Sequence, residues 1–236
     1  MTTITPTEAV NLVRKNLDEQ DPNGSIMYTD ENGSSSAYGD NASLDSLIKK
    51  FLPEAVNAVH MAAPVQLLEG KEHEFSESDT VEILTEGEDP AGILSIVLGD
   101  TSKFLRLVAF QAADSSVVVT DALGEATSEG RKQLNKYIRG RADRPRLVIL
   151  QGRHSGPEFK YYTLSDASAY ESDATEAISQ FSYVEEQFYS SEATGYDISR
   201  RLRQNIIDCL TAMVMLTFGD QRAEAFNQRA NNFSKI

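Results

Sequence analysis

The chain has no tryptophan, one cysteine and three histidines in 236 residues. Each shortage excludes something. A single cysteine rules out an intramolecular disulfide and a multi-cysteine metal site. Aromatic residues make up only 8%, so aliphatic side chains must supply most of the burial, and the hydrophobic content of 40% is enough for a real core. Basic residues are scarce as well: 22 Lys and Arg face 36 Asp and Glu, a net charge of −14. That balance argues against a protein that coats nucleic acid, because neutralising phosphates needs an excess of cations. The longest apolar run, Cys209 to Phe218, is too short for a bilayer, so no membrane partner is expected. The opening Met1-Thr-Thr-Ile-Thr-Pro lacks the basic and apolar regions of a signal peptide. The expectation is a soluble chain, intracellular when made.

The charge that is present is segregated. Residues 1–130 carry a net −16, residues 131–164 a net +7, residues 165–196 a net −7 with no basic group, and residues 197–236 a net +2. A basic block between acidic blocks reads either as a solvated helix and loop or as a contact surface, within the chain or between copies of it.

Helical signals lie at both ends. Thr5-Pro6-Thr7-Glu8 combines a capping box with proline at the first helical position, and Val10, Val13 and Leu17 make the apolar stripe. Asp18 to Asn41 is rich in Gly, Ser, Asn and Asp and reads as a long surface excursion. A second helix over Leu44–Ala62 keeps an unbroken i, i+3, i+4 rhythm, with Pro53 inside it predicting a kink or two abutting helices. At the C-terminal end Asp197 reads as the N-cap of a helix bearing Leu202, Ile206, Leu210, Met213 and Leu216 on one face. Gly219 closes that helix and Asp220 caps a last one. Between Val65 and Ser165 the rhythm becomes that of strands, at Thr80–Leu84, Gly92–Leu98, Phe104–Ala109, Val117–Thr120, Arg146–Leu150 and Phe159–Leu164, interrupted by a helix near Ser128–Arg139. The expected fold is therefore α+β: a helical bundle from the N- and C-terminal helices with an inserted β-rich subdomain. Residues 1–64 and 197–236 make the bundle core, 65–165 the β-rich insertion, and 166–196 an acidic arm or connector.

Catalytic constellations are thin. Glu69-Gly70-Lys71-Glu72-His73-Glu74 offers oxygen and nitrogen donors but lacks the i, i+4 histidine pair of a zinc helix, and it reads as a solvated loop. Arg153-His154-Ser155-Gly156 reads as a turn, not as a nucleophile beside its base. Asp21-Pro-Asn23-Gly-Ser25 opens like a calcium loop, yet Ile26 stands where glycine is needed and Asn32 where glutamate is needed. His60, just off the apolar stripe of its helix, reads as partly exposed, and Cys209 as a buried structural thiol. Neither a phosphate loop nor a dinucleotide fingerprint occurs, so no enzyme activity, cofactor or metal is expected.

The cations carry more information. Arg131, Lys132, Lys136, Arg139, Arg141, Arg144 and Arg146 crowd one stretch, and Arg200, Arg201 and Arg203 another. Arginine predominates in both, as suits fixed bidentate contacts with carboxylates. Both groups are candidate contacts with a sister subunit or a partner. A non-catalytic regulatory module using the Arg131–Arg146 block is an alternative, and an enzyme with an unrecognised site around His73 or His154 is a third.

A family pattern is carried by four stretches. Leu44-Asp-Ser-Leu-Ile-Lys-Lys-Phe-Leu-Pro-Glu-Ala-Val-Asn-Ala-Val-His-Met-Ala-Ala-Pro64 resembles the early helix of head-to-tail connector proteins of tailed bacteriophages. Ile206-Ile-Asp-Cys-Leu-Thr-Ala-Met-Val-Met-Leu-Thr-Phe-Gly219, with Ala225-Phe226 and Ala230, resembles their closing helix pair. Arg146-Leu-Val-Ile-Leu-Gln-Gly152 and Phe159-Lys-Tyr-Tyr-Thr-Leu164 resemble connectors of crAss-like phages in particular. The resemblance implies a structural virion protein, typically a dodecamer, forming a ring below the portal that joins head to tail and continues the DNA channel. The implied partners are the portal protein, further tail or ring proteins, copies of itself, and passing genomic DNA without specific binding. The implied location is the virion neck, with the host cytoplasm during assembly.

Overall fold

Strand β1 (Thr2–Ile4) leads into helix α1 (Pro6–Asn16), whose first turn is set by Thr5: its hydroxyl accepts the Glu8 N–H at 3.2 Å, and Pro6 needs no donor there. The computed structural model describes residues 2–17, 27–29, 35–37, 41–85, 92–99, 103–133, 145–150, 156–164, 168–170 and 172–233. They fall into two compact units, Met1–Glu69 with Glu186–Ile236, and Gly70–Glu185.

In the first unit α1 is followed by an antiparallel pair, β2 (Met27–Thr29) and β3 (Ser35–Ala37), within the segment expected to be a loop. Helix α2 (Asn41–Ala62) then runs through Pro53 as one element rather than as two abutting helices. The proline removes one N–H from the ladder, and the burial of Leu52, Ala55, Val56 and Val59 around it keeps the helix intact.

The second unit holds β4 (Lys71–Glu72), β5 (Thr80–Thr85), β6 (Gly92–Val97), β7 (Phe104–Ala112), β8 (Ala122–Gly124), α3 (Ser128–Gln133), β9 (Leu147–Leu150), β10 (Glu158–Leu164) and β11 (Ile178–Glu185). One sheet has the order β5-β6-β10-β9-β8, antiparallel except for the parallel β8–β9 pair, and the other β4-β11-β7. Side chains from both sheets share one core, with Leu94, Ile96, Phe110, Phe159, Tyr161 and Phe181 at its centre. Alternate residues of the larger sheet, Ile93, Val148, Leu150 and Tyr162, form a second cluster, as the two-residue period of a strand requires. Of the expected strand Val117–Thr120, only Val119 forms a bridge, to Phe110.

The chain then returns to the first unit through β12 (Tyr196–Ile198), a 3-10 turn at Arg200–Leu202, α4 (Arg203–Phe218) and α5 (Ala223–Ala230). Helix α4 meets α1, α2 and α5 and is buried around most of its circumference, from Ile206 and Ile207 to Val214 and Met215. Its buried polar groups are satisfied: Thr211 donates to the Ile207 carbonyl at 2.7 Å and Asn205 to the Ala230 carbonyl at 2.8 Å. Gly219 ends it in the left-handed region at φ 72°. The Asp220 N–H reaches back to the Met215 carbonyl and the Gly219 N–H to that of Leu216, a Schellman closure. Asp220 accepts the Arg222 N–H at 2.9 Å and the Arg222 guanidinium as well, which fixes the turn ahead of α5; the N-cap of α5 is Arg222, so Asp220 does not itself cap that helix. Asp220→Ala is expected to cost about 1–2 kcal/mol, read as a lower urea midpoint at unchanged slope.

Three expectations need correction. The molecule is α+β but not a helical bundle: twelve strands in four sheets accompany five α-helices among the described residues. Even the helix-rich unit is tied by a sheet, because β1 pairs antiparallel with β12, Thr2 opposite Ile198 and Ile4 opposite Tyr196. Asp197 consequently lies on β12, where its carboxylate accepts the Thr3 hydroxyl at 3.2 Å, and it does not cap α4. The segment 166–196 is not one arm. Its residues 178–185 form β11, the middle strand of its sheet, with Phe181, Tyr183 and Val184 buried, and only from Glu186 does it enter the helix-rich unit.

Candidate interaction surface

The singled-out cations fall into three groups. Lys136, Arg139, Arg141 and Arg144 lie outside the described residues. Arg131 and Arg146 are exposed in the β-rich unit. Arg131 lies in the last turn of α3, with its guanidinium on the Ala126 carbonyl at 2.8 Å, and Arg146 directly precedes β9. Lys132 beside Arg131 is paired with Glu129. Arg200, Arg201 and Arg203 lie in the helix-rich unit, where Arg203 forms an ion pair with Glu8 and so links α4 to α1. At that exposure such a pair contributes under about 1 kcal/mol.

Arg200 and Arg201 are exposed on a turn with a fixed backbone. The Ser199 N–H donates to Nε2 of His60 at 3.3 Å, the Ser199 hydroxyl accepts the Glu69 N–H at 2.8 Å, and the Glu69 carboxylate accepts the Arg200 N–H at 3.3 Å. Leu202 is buried directly after them. His60 is thus not the partly exposed residue expected. It is 0% exposed, and burial pushes its imidazole down to about 4, which keeps it neutral and able to accept from Ser199.

A second feature of the same unit was not anticipated. Residues 186–195 have no regular structure, yet Gln187 is clamped: the Asn57 side chain donates to its carbonyl and accepts its N–H, both at 2.8 Å. The amide of Asn57 imitates a strand neighbour. Immediately after the clamp, Phe188 and Tyr189 are 56% and 52% exposed. Tyr189, Ser190 and Thr194 line one side of a groove of about 460 Å³, whose other side is Thr5, Pro6, Thr7 and Lys49. Only the scattered aromatics of the segment hinted at this in the sequence, since the Asn57 clamp joins residues far apart in the chain.

The β-rich unit contains a polar constellation that the sequence hid. His73 Nε2 lies 3.1 Å from Asp79 Oδ2 and Nδ1 3.4 Å from the Tyr183 hydroxyl, with the ring edge-on to Phe75. Burial pushes the Asp79 carboxyl up, but the N–H groups of Gly99 and Ser76, the Ser76 hydroxyl and His73 outweigh it and hold the group below the ordinary carboxylate range. Each oxygen of Asp79 is committed, so the cluster pins the 73–79 segment to β11 and to Gly99. His73 is therefore set in an aromatic socket, not in a solvated loop. His154 lies outside the described residues. Among the described residues no three His, Cys, Asp or Glu side chains are grouped to hold a metal ion. Cys209 is mostly buried, which pushes its thiol up to about 11. No helix among the described residues is long and apolar enough to cross a membrane.

Comparison with known proteins does not supply an identity: no protein family matches the chain, and no curated protein matches it.

Proposed function

We propose that the chain is a structural subunit that assembles with its own copies into a ring below the portal of a tailed phage, joining head to tail and continuing the DNA channel. The observation that carries this reading is the segregation of charge, a net −16 over residues 1–130 and −7 over 165–196 against +7 over 131–164. In this reading acidic segments line the channel and let DNA pass without holding its phosphates, while arginines meet carboxylates of a neighbouring copy or of the portal. A ring needs two different faces that fit each other, and a chain with separate acidic and basic segments suits that need. The resemblance of Leu44–Pro64 and Ile206–Gly219 to connector helices supports the same role.

The test is to mix the purified chain with portal protein and follow the complex by sedimentation at low and high salt. The expected result is a co-sedimenting complex that weakens as salt rises. Binding of a polyanion such as heparin, with neither portal binding nor self-association, would instead favour a regulatory module working through the Arg131–Arg146 block.

A further inference from the structure

We infer that Phe188 and Tyr189 are an interaction surface for a second copy of this chain, and that they dock on Arg200 and Arg201 of that copy. The inference rests on the ring reading only in that both need contact between copies. Singly scattered apolar residues on a surface are ordinary, whereas two adjacent aromatics, 56% and 52% exposed beside a groove of about 460 Å³, form a patch. The Asn57 clamp on Gln187 fixes the backbone directly before them, so little conformational freedom is lost when they are covered.

The charge around the patch selects its partner. Glu186 and Glu192 flank the aromatics in a segment, 165–196, that has no basic residue, and Lys49 on the far wall of the groove offsets one of those charges. The acidic excess of this segment favours a cationic face over phosphate-bearing partners. Guanidinium groups suit it best, since they lie over aromatic rings and pair with carboxylates at once. Arg14 pairs with Asp45, Arg203 with Glu8 and Arg222 with Asp220, Arg229 lies over Phe226 and Arg131 donates to the Ala126 carbonyl, whereas Arg200 and Arg201 are adjacent, exposed and presented on a turn held by His60, Ser199 and Glu69. Both halves of the contact are preorganised. The aromatic half on one copy and the arginine half on the next make a heterologous contact, the kind that propagates into rings or filaments.

The experiment uses the full chain and three samples: wild type, Phe188→Ser with Tyr189→Ser, and Arg200→Glu with Arg201→Glu. Masses are followed by sedimentation across concentration at low and high salt. Wild type is expected to grow in mass with concentration at low salt, and each double variant to need roughly tenfold more protein for the same growth. An equimolar mixture of the two variants keeps one intact aromatic half and one intact arginine half, so it is expected to form dimers and nothing larger. Assembly of the aromatic variant like wild type overturns the inference while leaving the ring reading standing. So does a mixture that stays monomeric although wild type assembles. Wild type that never self-associates overturns both. Should a variant misfold, hydroxyl-radical labelling of wild type at low and high concentration decides the matter: protection of Phe188 and Tyr189 on assembly supports the surface, and unchanged labelling overturns it.

Discussion

Truncating Phe181 to alanine is expected to lower the stability of the β-rich unit by about 3–5 kcal/mol, the cost of emptying a buried aromatic site. Phe181 lies on the middle strand of its sheet and is essentially inaccessible to solvent. Its ring centroid is 5.4 Å from that of Phe159 on the facing sheet, and about 6 Å from those of Phe75, Phe110 and Tyr183. With no tryptophan in the chain, these rings supply much of the bulk in the core. The hole left by alanine is walled by two hydrogen-bonded sheets that cannot collapse into it, so the cost falls at the upper end of the usual range. Phe181→Leu, which keeps most of the volume, should cost about 1–2 kcal/mol. Urea unfolding gives both values, and amide hydrogen exchange should show β6, β10 and β11 losing protection first. A loss below about 1 kcal/mol for alanine would contradict the shared core.

The second large effect is a fall in the stability of the helix-rich unit on acidification, caused by His60. Its imidazole has an ordinary value of 6.5 and is pushed down to about 4 by burial in the folded chain. As pH falls through 6.5 the unfolded chain takes up the proton and the folded chain does not, so stability declines until the folded group also titrates near 4. Below that the contribution is constant. The whole shift corresponds to about 3 kcal/mol. Protonation of Nε2 would also end its acceptance of the Ser199 N–H and loosen the turn that presents Arg200 and Arg201. His60→Gln, which keeps an acceptor but does not titrate, should remove the slope between roughly pH 6.5 and pH 4. Urea midpoints across that window check it, and an equally steep slope in the variant would assign the acid sensitivity elsewhere.

What was legible in the sequence was local. The Thr5 cap, the apolar rhythm of Leu44–Val59, the Gly219 closure and the strands near Gly92 and Phe159 all follow from residues within a few positions of one another. What was not legible depends on distant partners. Thr2–Ile4 and Tyr196–Ile198 are each too short to show a period and exist as strands only because they pair with each other. In β11, irregularities between Ile178 and Gln180 and between Ser182 and Tyr183 break the two-residue alternation, so a buried strand read as an acidic connector. The same limit hid the candidate surface. Arg200 and Arg201 were visible as a basic run, but the His60–Ser199–Glu69 support and the Asn57 clamp behind Phe188 and Tyr189 exist only in three dimensions.

The proposed ring is open to imaging. Negative-stain electron microscopy of the purified chain, alone and mixed with portal protein, should show closed rings of one diameter, seated on the portal when it is present. Monomers at every concentration and salt, with portal particles left bare, would contradict it.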